Sequence, residues 1–465
     1  MGLSPRMTGR TTARAHHSPA AAAFLHKVGP FFAGHEVTGG PLAVATLVAL
    51  ICTNTAFAGT FENFWDTDFT LAFGGSGVSH SLAEWIDHAL LPLFFVIIGA
   101  DVKREIVGGA LSRWRTAAFP LAGAIGGMVV PVLLFLAITH GRPEAVGWGT
   151  VVTMDTAFGL ALIALFSDRL PAGVRALMLA FAAVDDVGGL LVIAFAYTES
   201  IDWRGLVVAA GALGGIIGLR RLGWVSSVPY VVLAMVLWGG VFESGVHATI
   251  AGVLIGLTVP VTPRLDQGKF AERVQRRIDE FQKAHRTAEE SDDQDEAMEA
   301  QQKAEDRLGY LQEMTSATNV TSGRVIETLT PWVTYVVLPL FALSNVRIHF
   351  SAELLGAVTS PLVLGIVAGL AVGKPLGFMS FTWIASLLGF AERPDKVTWP
   401  MVAAIGALAG IGFTISLFIA GLAFGDSEMR ETASLGVLIA SLVSAAVGYA
   451  VLRRDANKVA ETGTA

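Results

Sequence analysis

Two adjacent acidic residues, Asp185 and Asp186, lie within the long apolar stretch 174–196. Such a stretch can span a bilayer, where one charged side chain costs about 2.5–3.5 kcal/mol on insertion scales. Carboxylate oxygens suit hard cations such as Na⁺, and the same oxygens bind protons. The pair therefore predicts a site that holds either a cation or a proton. The structural alternative is a buried pair neutralised by a lysine or by protonation.

Two more ionisable side chains interrupt apolar stretches. Lys374 is the only lysine inside such a stretch, so it is the natural counter-ion for one of the aspartates. Asp155 lies near the middle of another, where a carboxylate could balance the positive ends of broken half-helices or bind an ion transiently. The alternative for Lys374 is a side chain that extends to the membrane interface. The alternative for Asp155 is a protonated acid that is hydrogen-bonded within the helix bundle.

The stretch 401–424 contains signs of a break in its helix. Gly410 and Gly412 weaken a helix at mid-span, and the hydroxyl groups of Thr414 and Ser416 can bond backbone groups that the break releases. We therefore predict an unwound segment here. Close helix packing by small residues is the alternative explanation for the two glycines.

The composition explains which elements position these groups. Of 465 residues, 53% are hydrophobic and only 15% are charged, and the mean hydropathy is +0.59. Soluble domains carry roughly a quarter charged residues, so most of this chain is expected in lipid. About twelve apolar stretches of spanning length recur, and their continuous apolarity predicts helices rather than barrel strands. The composition argues against a soluble enzyme, and the absence of a basic tract against a nucleic-acid binder. A single cysteine, Cys52, excludes an internal disulfide or a cysteine-based metal cluster.

Charge distribution predicts the topology. Lysines and arginines concentrate in alternate loops, which places both termini in the cytoplasm by the positive-inside rule. We predict a cytoplasmic tail at 1–34, helices I–VIII in 35–262, a charged cytoplasmic insert at 263–324, helices IX–XII in 325–455 and a tail at 456–465. The insert is interpreted as a solvated, partly helical linker, with a regulatory or partner-binding hairpin as the alternative.

Six short motifs resemble those of NhaA-type sodium/proton antiporters, in the family's order and over about residues 35–455. They are IGADVKRE (98–105), DTAF (155–158), VDDVG (184–188), SGVHAT (244–249), GKPLG (373–377) and GIGFT (410–414). The resemblance implies an all-α membrane protein of about twelve transmembrane helices, an inverted repeat with broken crossing helices IV and XI.

The resemblance also implies roles for particular residues. Asp185 and Asp186 would bind Na⁺ and protons, with Lys374 paired to Asp185 and Asp155 at the helix crossing. Candidates for the pH response would be Asp101, Arg104, Glu105 and His247, although interfacial anchoring and packing are the simpler interpretations of these four residues. The chain departs from the family pattern at Met154, where a threonine is common, with Thr153 one place earlier.

These observations together predict a secondary transporter in the bacterial inner membrane. It would exchange internal Na⁺ or Li⁺ for external H⁺ under pH regulation, by competition at the aspartates, without catalysis or a cofactor. Its expected partners are these ions and membrane lipid, with a homodimer considered and no nucleic acid. The rivals are an intramembrane aspartyl protease, which needs its two aspartates on different helices, and another solute carrier or a channel.

Overall fold

The chain is described from a computed structural model. The structure describes residues 39–462, apart from 74–75, 168, 199–200, 225, 426 and, except for 278 and 282, 262–320. The predicted N-terminal tail, 1–34, lies outside the described residues, as does nearly all of the predicted insert. The boundaries proposed for these two segments therefore remain predictions.

Helices account for almost all of the described chain. They are α1 (Gly39–Thr53), α2 (Ala58–Trp65), α3 (Leu82–Val107), α4 (Trp114–Thr139), a 3₁₀ helix (Pro143–Val151), α5 (Thr156–Ala164), α6 (Ala172–Ala196), α7 (Trp203–Arg221), α8 (Val228–Glu243), α9 (Thr249–Thr258), α10 (Thr321–Trp332, continued through a π turn by Leu338–Asn345), α11 (Ala352–Gly356), α12 (Pro361–Leu387), α13 (Trp399–Ala409), α14 (Phe413–Ala423) and α15 (Ser427–Thr462).

The helices confirm the predicted all-α membrane architecture. Within the described residues, eight spans are long and apolar enough to cross a bilayer, and two bent helix pairs also pass that test as units. The shorter apolar helices α8 and α9 bring the number of candidate spans to that predicted from the sequence. Two ends differ from the predicted boundaries. The helix α10 begins at Thr321, inside the predicted insert, and α15 runs on to Thr462, through part of the predicted C-terminal tail.

A two-stranded hairpin between α2 and α3 was not predicted. Strand β1 (Asp68–Phe73) pairs antiparallel with β2 (Ser76–Ser81), so that Thr70 faces Ser79. Their hydroxyl groups are 2.7 Å apart. The hairpin belongs to a connection between spans, so it does not disturb the argument that spanning segments are helical.

Two spans are broken, and they cross at their breaks. The 3₁₀ helix Pro143–Val151 and α5 meet at an angle of 41° across residues 152–155, and α13 and α14 are separated by residues 410–412. The backbone N–H of Asp155 donates to the carbonyl oxygen of Ile411 at 2.5 Å. This bond joins the two breaks directly, as expected for the fourth and eleventh spans. The span α13–α14 is central to the bundle, since 94% of its most apolar part is buried.

Close packing of α4 against α12 brings Lys374 to the centre of the bundle. A Cβ atom on Gly377 would overlap the carbonyl oxygen of Gly126, so only glycine permits this approach. A π turn over Ala368–Gly373 immediately precedes Lys374 in α12. The Phe181 and Phe378 rings then pack edge to face with centroids 4.7 Å apart, which ties α12 to α6.

Candidate functional site

Asp155 joins the beginnings of two helices at the crossing. Its Oδ1 accepts hydrogen bonds from the backbone N–H groups of Ala157 (3.1 Å) and Phe158 (3.2 Å), so it caps α5. Its Oδ2 accepts from the backbone N–H (3.1 Å) and the hydroxyl (2.7 Å) of Thr414, in the first turn of α14. A buried carboxylate thus faces the partial positive charge of two helix N-termini. This geometry fits the balancing role expected for Asp155.

Asp185 and Lys374 form a fully buried ion pair. The Lys374 ammonium donates to Asp185 Oδ1 at 2.6 Å, and both side chains have 0% exposure. The other carboxylate oxygen, Oδ2, accepts the backbone N–H of Met154 at 2.7 Å. Met154 therefore contributes its backbone N–H, a contact that does not depend on its side chain.

Asp186 has a different environment from its neighbour. It is buried, and in the described part of the chain it forms no ion pair. The hydroxyl of Thr156 is its hydrogen-bonding partner, at 3.5 Å from Oδ1 and 3.3 Å from Oδ2. Of the two adjacent aspartates, one is neutralised by a lysine and the other is left without a cationic partner.

Thr156 is not among the site residues predicted from the sequence. Its hydroxyl lies in an apolar stretch, where most serines and threonines bond to the carbonyl four residues earlier in their own helix. A threonine that directly follows a helix-capping residue has no such carbonyl within its helix. That position was the signal that could have identified it.

The structure brings most of the predicted site residues together around the crossing. Asp155, Asp185 and Lys374 are joined through the segment 152–155, Asp186 is linked to it through the next residue, Thr156, and Gly410 and Gly412 flank Ile411 in the second break. Thr153 is fully buried with an unpaired hydroxyl. Among the described residues, no three acidic or histidine side chains are arranged to hold a metal ion. Any cation bound here would therefore need oxygen atoms from other groups.

The pH-response candidates lie apart from the crossing. Asp101 and Arg104 are 3.8 Å apart near the end of α3, and Glu105 accepts the backbone N–H of Ala110 at 2.9 Å. His247 lies in the connection between α8 and α9, where its ring packs against Phe418 with centroids 6.0 Å apart. Burial lowers the pKa of His247, opposed by a hydrogen bond to the backbone of Tyr197.

Tyr197, also not predicted from the sequence, holds the first half of the broken fourth span. It follows the last residue of α6, and its hydroxyl donates to the carbonyl of Val146 (2.9 Å) and accepts the N–H of Gly149 (3.0 Å). Burial raises the pKa of Tyr197 to about 12. The helix that carries the aspartates is thereby attached to the 3₁₀ helix that leads into the crossing.

Comparisons with known proteins identify the family of this chain. Residues 30–452 match the family described as Na⁺/H⁺ antiporter 1. The chain is 39% identical to the Na⁺/H⁺ antiporter NhaA of Rhodopirellula baltica, over 90% of this chain and 91% of that protein. It is 38% identical to Na⁺/H⁺ antiporter NhaA 2 of Sorangium cellulosum, over 91% of this chain and 90% of that protein. The NhaA antiporter of Oleidesulfovibrio alaskensis is 36% identical, over 91% of this chain and 92% of that protein.

Proposed function

Because the chain belongs to the Na⁺/H⁺ antiporter 1 family, we propose that it exchanges internal Na⁺ or Li⁺ for external H⁺ at Asp185 and Asp186. We also propose that the protein lies in the bacterial inner membrane with both termini in the cytoplasm. One observation carries it, namely that Asp186 is buried beside Asp185 without a cationic partner in the described part of the chain.

Charge balance explains why this observation matters. The Asp185 carboxylate is compensated by Lys374, and the Asp155 carboxylate by the N-terminal ends of α5 and α14. Among the described residues the Asp186 carboxylate forms no ion pair, and it accepts a hydrogen bond from the neutral Thr156 hydroxyl. A buried carboxylate without compensation is costly, so Asp186 binds either a proton or a cation. Exclusive binding of one or the other is what couples the two ions.

Movement of one helical bundle against the other then exposes the site to each side in turn. The backbone can change conformation at the two breaks, because residues 152–155 and 410–412 lack continuous helical hydrogen bonding. In this mechanism Asp186 binds Na⁺ when open to the cytoplasm and a proton when open to the outside. The cycle consists of binding and release, and needs neither bond-making catalysis nor a cofactor.

Regulation by pH forms the second part of the proposal. Asp101, Arg104 and Glu105 form a charged group near the end of α3, and His247 lies beside Phe418 of α14. A change in the charge of these groups can alter the packing of α3 or of α14, the helix that begins at the crossing. The homodimer considered above stays a prediction, which light scattering of the purified protein would test.

The location of Asp185 and Asp186 argues against the enzymatic rival. Both aspartates belong to the single helix α6, whereas an aspartyl protease needs one from each of two facing helices. A channel would carry Na⁺ without moving protons.

Everted membrane vesicles distinguish an antiporter from a protease or a channel. Addition of Na⁺ should collapse a preformed pH gradient, and addition of K⁺ should not. A pH gradient that is insensitive to Na⁺ would contradict the proposed function.

A further inference from the structure

We propose that Thr156 is a neutral oxygen ligand of the cation bound by Asp186, an assignment that rests on the proposed function. The Thr156 hydroxyl oxygen lies 3.5 Å from Oδ1 and 3.3 Å from Oδ2 of Asp186. It is therefore close to both carboxylate oxygens without contacting either of them tightly.

These distances suit a shared cation better than a direct hydrogen bond. Hydrogen bonds from a hydroxyl to an oxygen are usually about 2.5–3.0 Å long. Hard cations such as Ca²⁺ bind oxygens at about 2.3–2.6 Å, and Na⁺ is of similar size. Two ligands at about 2.4 Å that subtend a right angle at the ion lie about 3.4 Å apart. The Thr156 and Asp186 oxygens therefore have the spacing of neighbouring ligands around one ion.

The position of Thr156 in its helix leaves the hydroxyl available. Thr156 is the first residue of α5, directly after the capping residue Asp155. Two fully buried threonines bond their hydroxyl groups within their own segment, Thr150 to the carbonyl of Gly147 (2.7 Å) and Thr382 to that of Phe378 (2.6 Å). The hydroxyl of Thr156 instead points to Asp186, so its lone pairs can bind an ion.

The neighbouring residues explain why such a ligand is needed. Met154 brings only its backbone N–H, which Asp185 already accepts. Lys374 holds Asp185 in an ion pair, and Asp155 uses both of its oxygens to bond helix ends. These three residues therefore leave no uncommitted side-chain oxygen for a cation at Asp186. The hydroxyl that Met154 lacks is supplied two residues later by Thr156, on the other side of Asp155.

The test compares Thr156→Val, which keeps the side-chain shape, with Thr156→Ser, which keeps the hydroxyl. The KM for Na⁺ and the maximal rate are measured in everted vesicles at alkaline pH, where a further rise in pH no longer lowers the KM. We expect Thr156→Val to raise this limiting KM about tenfold or more, as for the loss of a polar partner in a buried site. The maximal rate should stay within about twofold, and Thr156→Ser should restore most of the affinity.

The matched control is Thr150→Val, which removes a buried hydroxyl from the same span but not from the carboxylates. It should leave the limiting KM unchanged. If Thr156→Val altered only the pH at which activity rises, while the limiting KM stayed at the wild-type value, the hydroxyl would merely hold the Asp186 carboxylate and the proposal would be wrong. A Thr156→Ser protein as weak as Thr156→Val would also overturn it.

A second measurement keeps the test decisive if Thr156→Val transports too slowly to assay. Na⁺ affinity is then measured by calorimetry on the purified, folded protein, with the same expected change and the same controls. Two other results would show that the proposed function itself is wrong: absence of Na⁺/H⁺ exchange in the wild type, or full exchange in Asp186→Asn. Failure of the Thr156 assignment leaves the wild-type exchange intact.

Discussion

The ammonium group of Lys374 donates to Oδ1 of Asp185 across 2.6 Å, and neither side chain has any exposed surface. The pair joins α12 to α6, which carries both aspartates. Removing one member of a buried ion pair leaves an uncompensated charge and typically costs about 3–5 kcal/mol. The same pair leaves Asp186 as the carboxylate to which we assign the transported ion.

Loss of one member should therefore cost more stability than loss of both. We expect Lys374→Met to lower the melting temperature of the detergent-solubilised protein strongly, and the double variant Lys374→Met with Asp185→Asn to recover most of the loss. Lys103→Met removes a half-buried lysine that donates to the neutral Leu257 carbonyl, and it should change the melting temperature much less. A double variant as unstable as the sum of the single variants would contradict the pairing.

Asp155→Asn should destabilise the crossing. The aspartate accepts hydrogen bonds with both carboxylate oxygens, whereas an asparagine amide has one acceptor oxygen and would turn its NH₂ group toward backbone donors. We expect a loss of stability of about 1–3 kcal/mol, together with slower exchange. Thr414→Val removes only the hydroxyl bond and should cost about 1 kcal/mol, with Thr414→Ser near wild type. Equal melting temperatures for Asp155→Asn and wild type would refute this role.

Gly410→Ala should disturb the second break. A Cβ atom at Gly410 would fall on the Leu370 carbonyl oxygen and the Ser444 hydroxyl oxygen, both part of closely packed helices. Overpacking of this kind costs about 1–3 kcal/mol. Gly421 in α14 is the matched control, since a Cβ atom there would meet nothing within 4 Å. Thermal unfolding should separate the two variants, and a Gly421→Ala protein as unstable as Gly410→Ala would show that the effect is not specific to the break.

His247 should contribute to a loss of stability in acid. Its ordinary pKa is 6.5, and burial lowers the value in the folded protein. The unfolded chain then binds the proton more tightly, so this residue reduces the free energy of unfolding as the pH falls below about 6.5. Replacement by glutamine should flatten the decline of the melting temperature between about pH 7 and 5. The groups that face the ring are His88, Phe418 and the backbone of Tyr197. An unchanged pH slope in His247→Gln would exclude the effect.

The features predicted from the sequence are those that stand out against an apolar background. Asp155, Asp185, Asp186 and Lys374 could be found because a charge within a spanning helix is costly and needs a reason. The helix breaks were expected from glycines at mid-span and from the family resemblance. These signals are local in the sequence, and the structure has breaks at 152–155 and 410–412.

Other features depend on contacts between distant parts of the chain. Tyr197 bonds main-chain atoms of Val146 and Gly149, which carry no sequence signal, across about fifty residues. Thr156 looks like any threonine in an apolar helix until the side chain of Asp186, thirty residues away, is placed beside it. The hairpin β1–β2 is too short and too exposed for hydrophobic patterning to predict it.

The central claim is that one carboxylate binds either a proton or a cation, and the most direct test is proton release upon Na⁺ binding. Purified protein in a weakly buffered detergent solution is mixed with NaCl, and the change in pH is recorded, with choline chloride as the salt control. The wild type should release protons on adding Na⁺ at a pH where Asp186 is protonated, and Asp186→Asn should release none. Na⁺ binding by the wild type without proton release across the active pH range, or undiminished release by Asp186→Asn, would contradict the account.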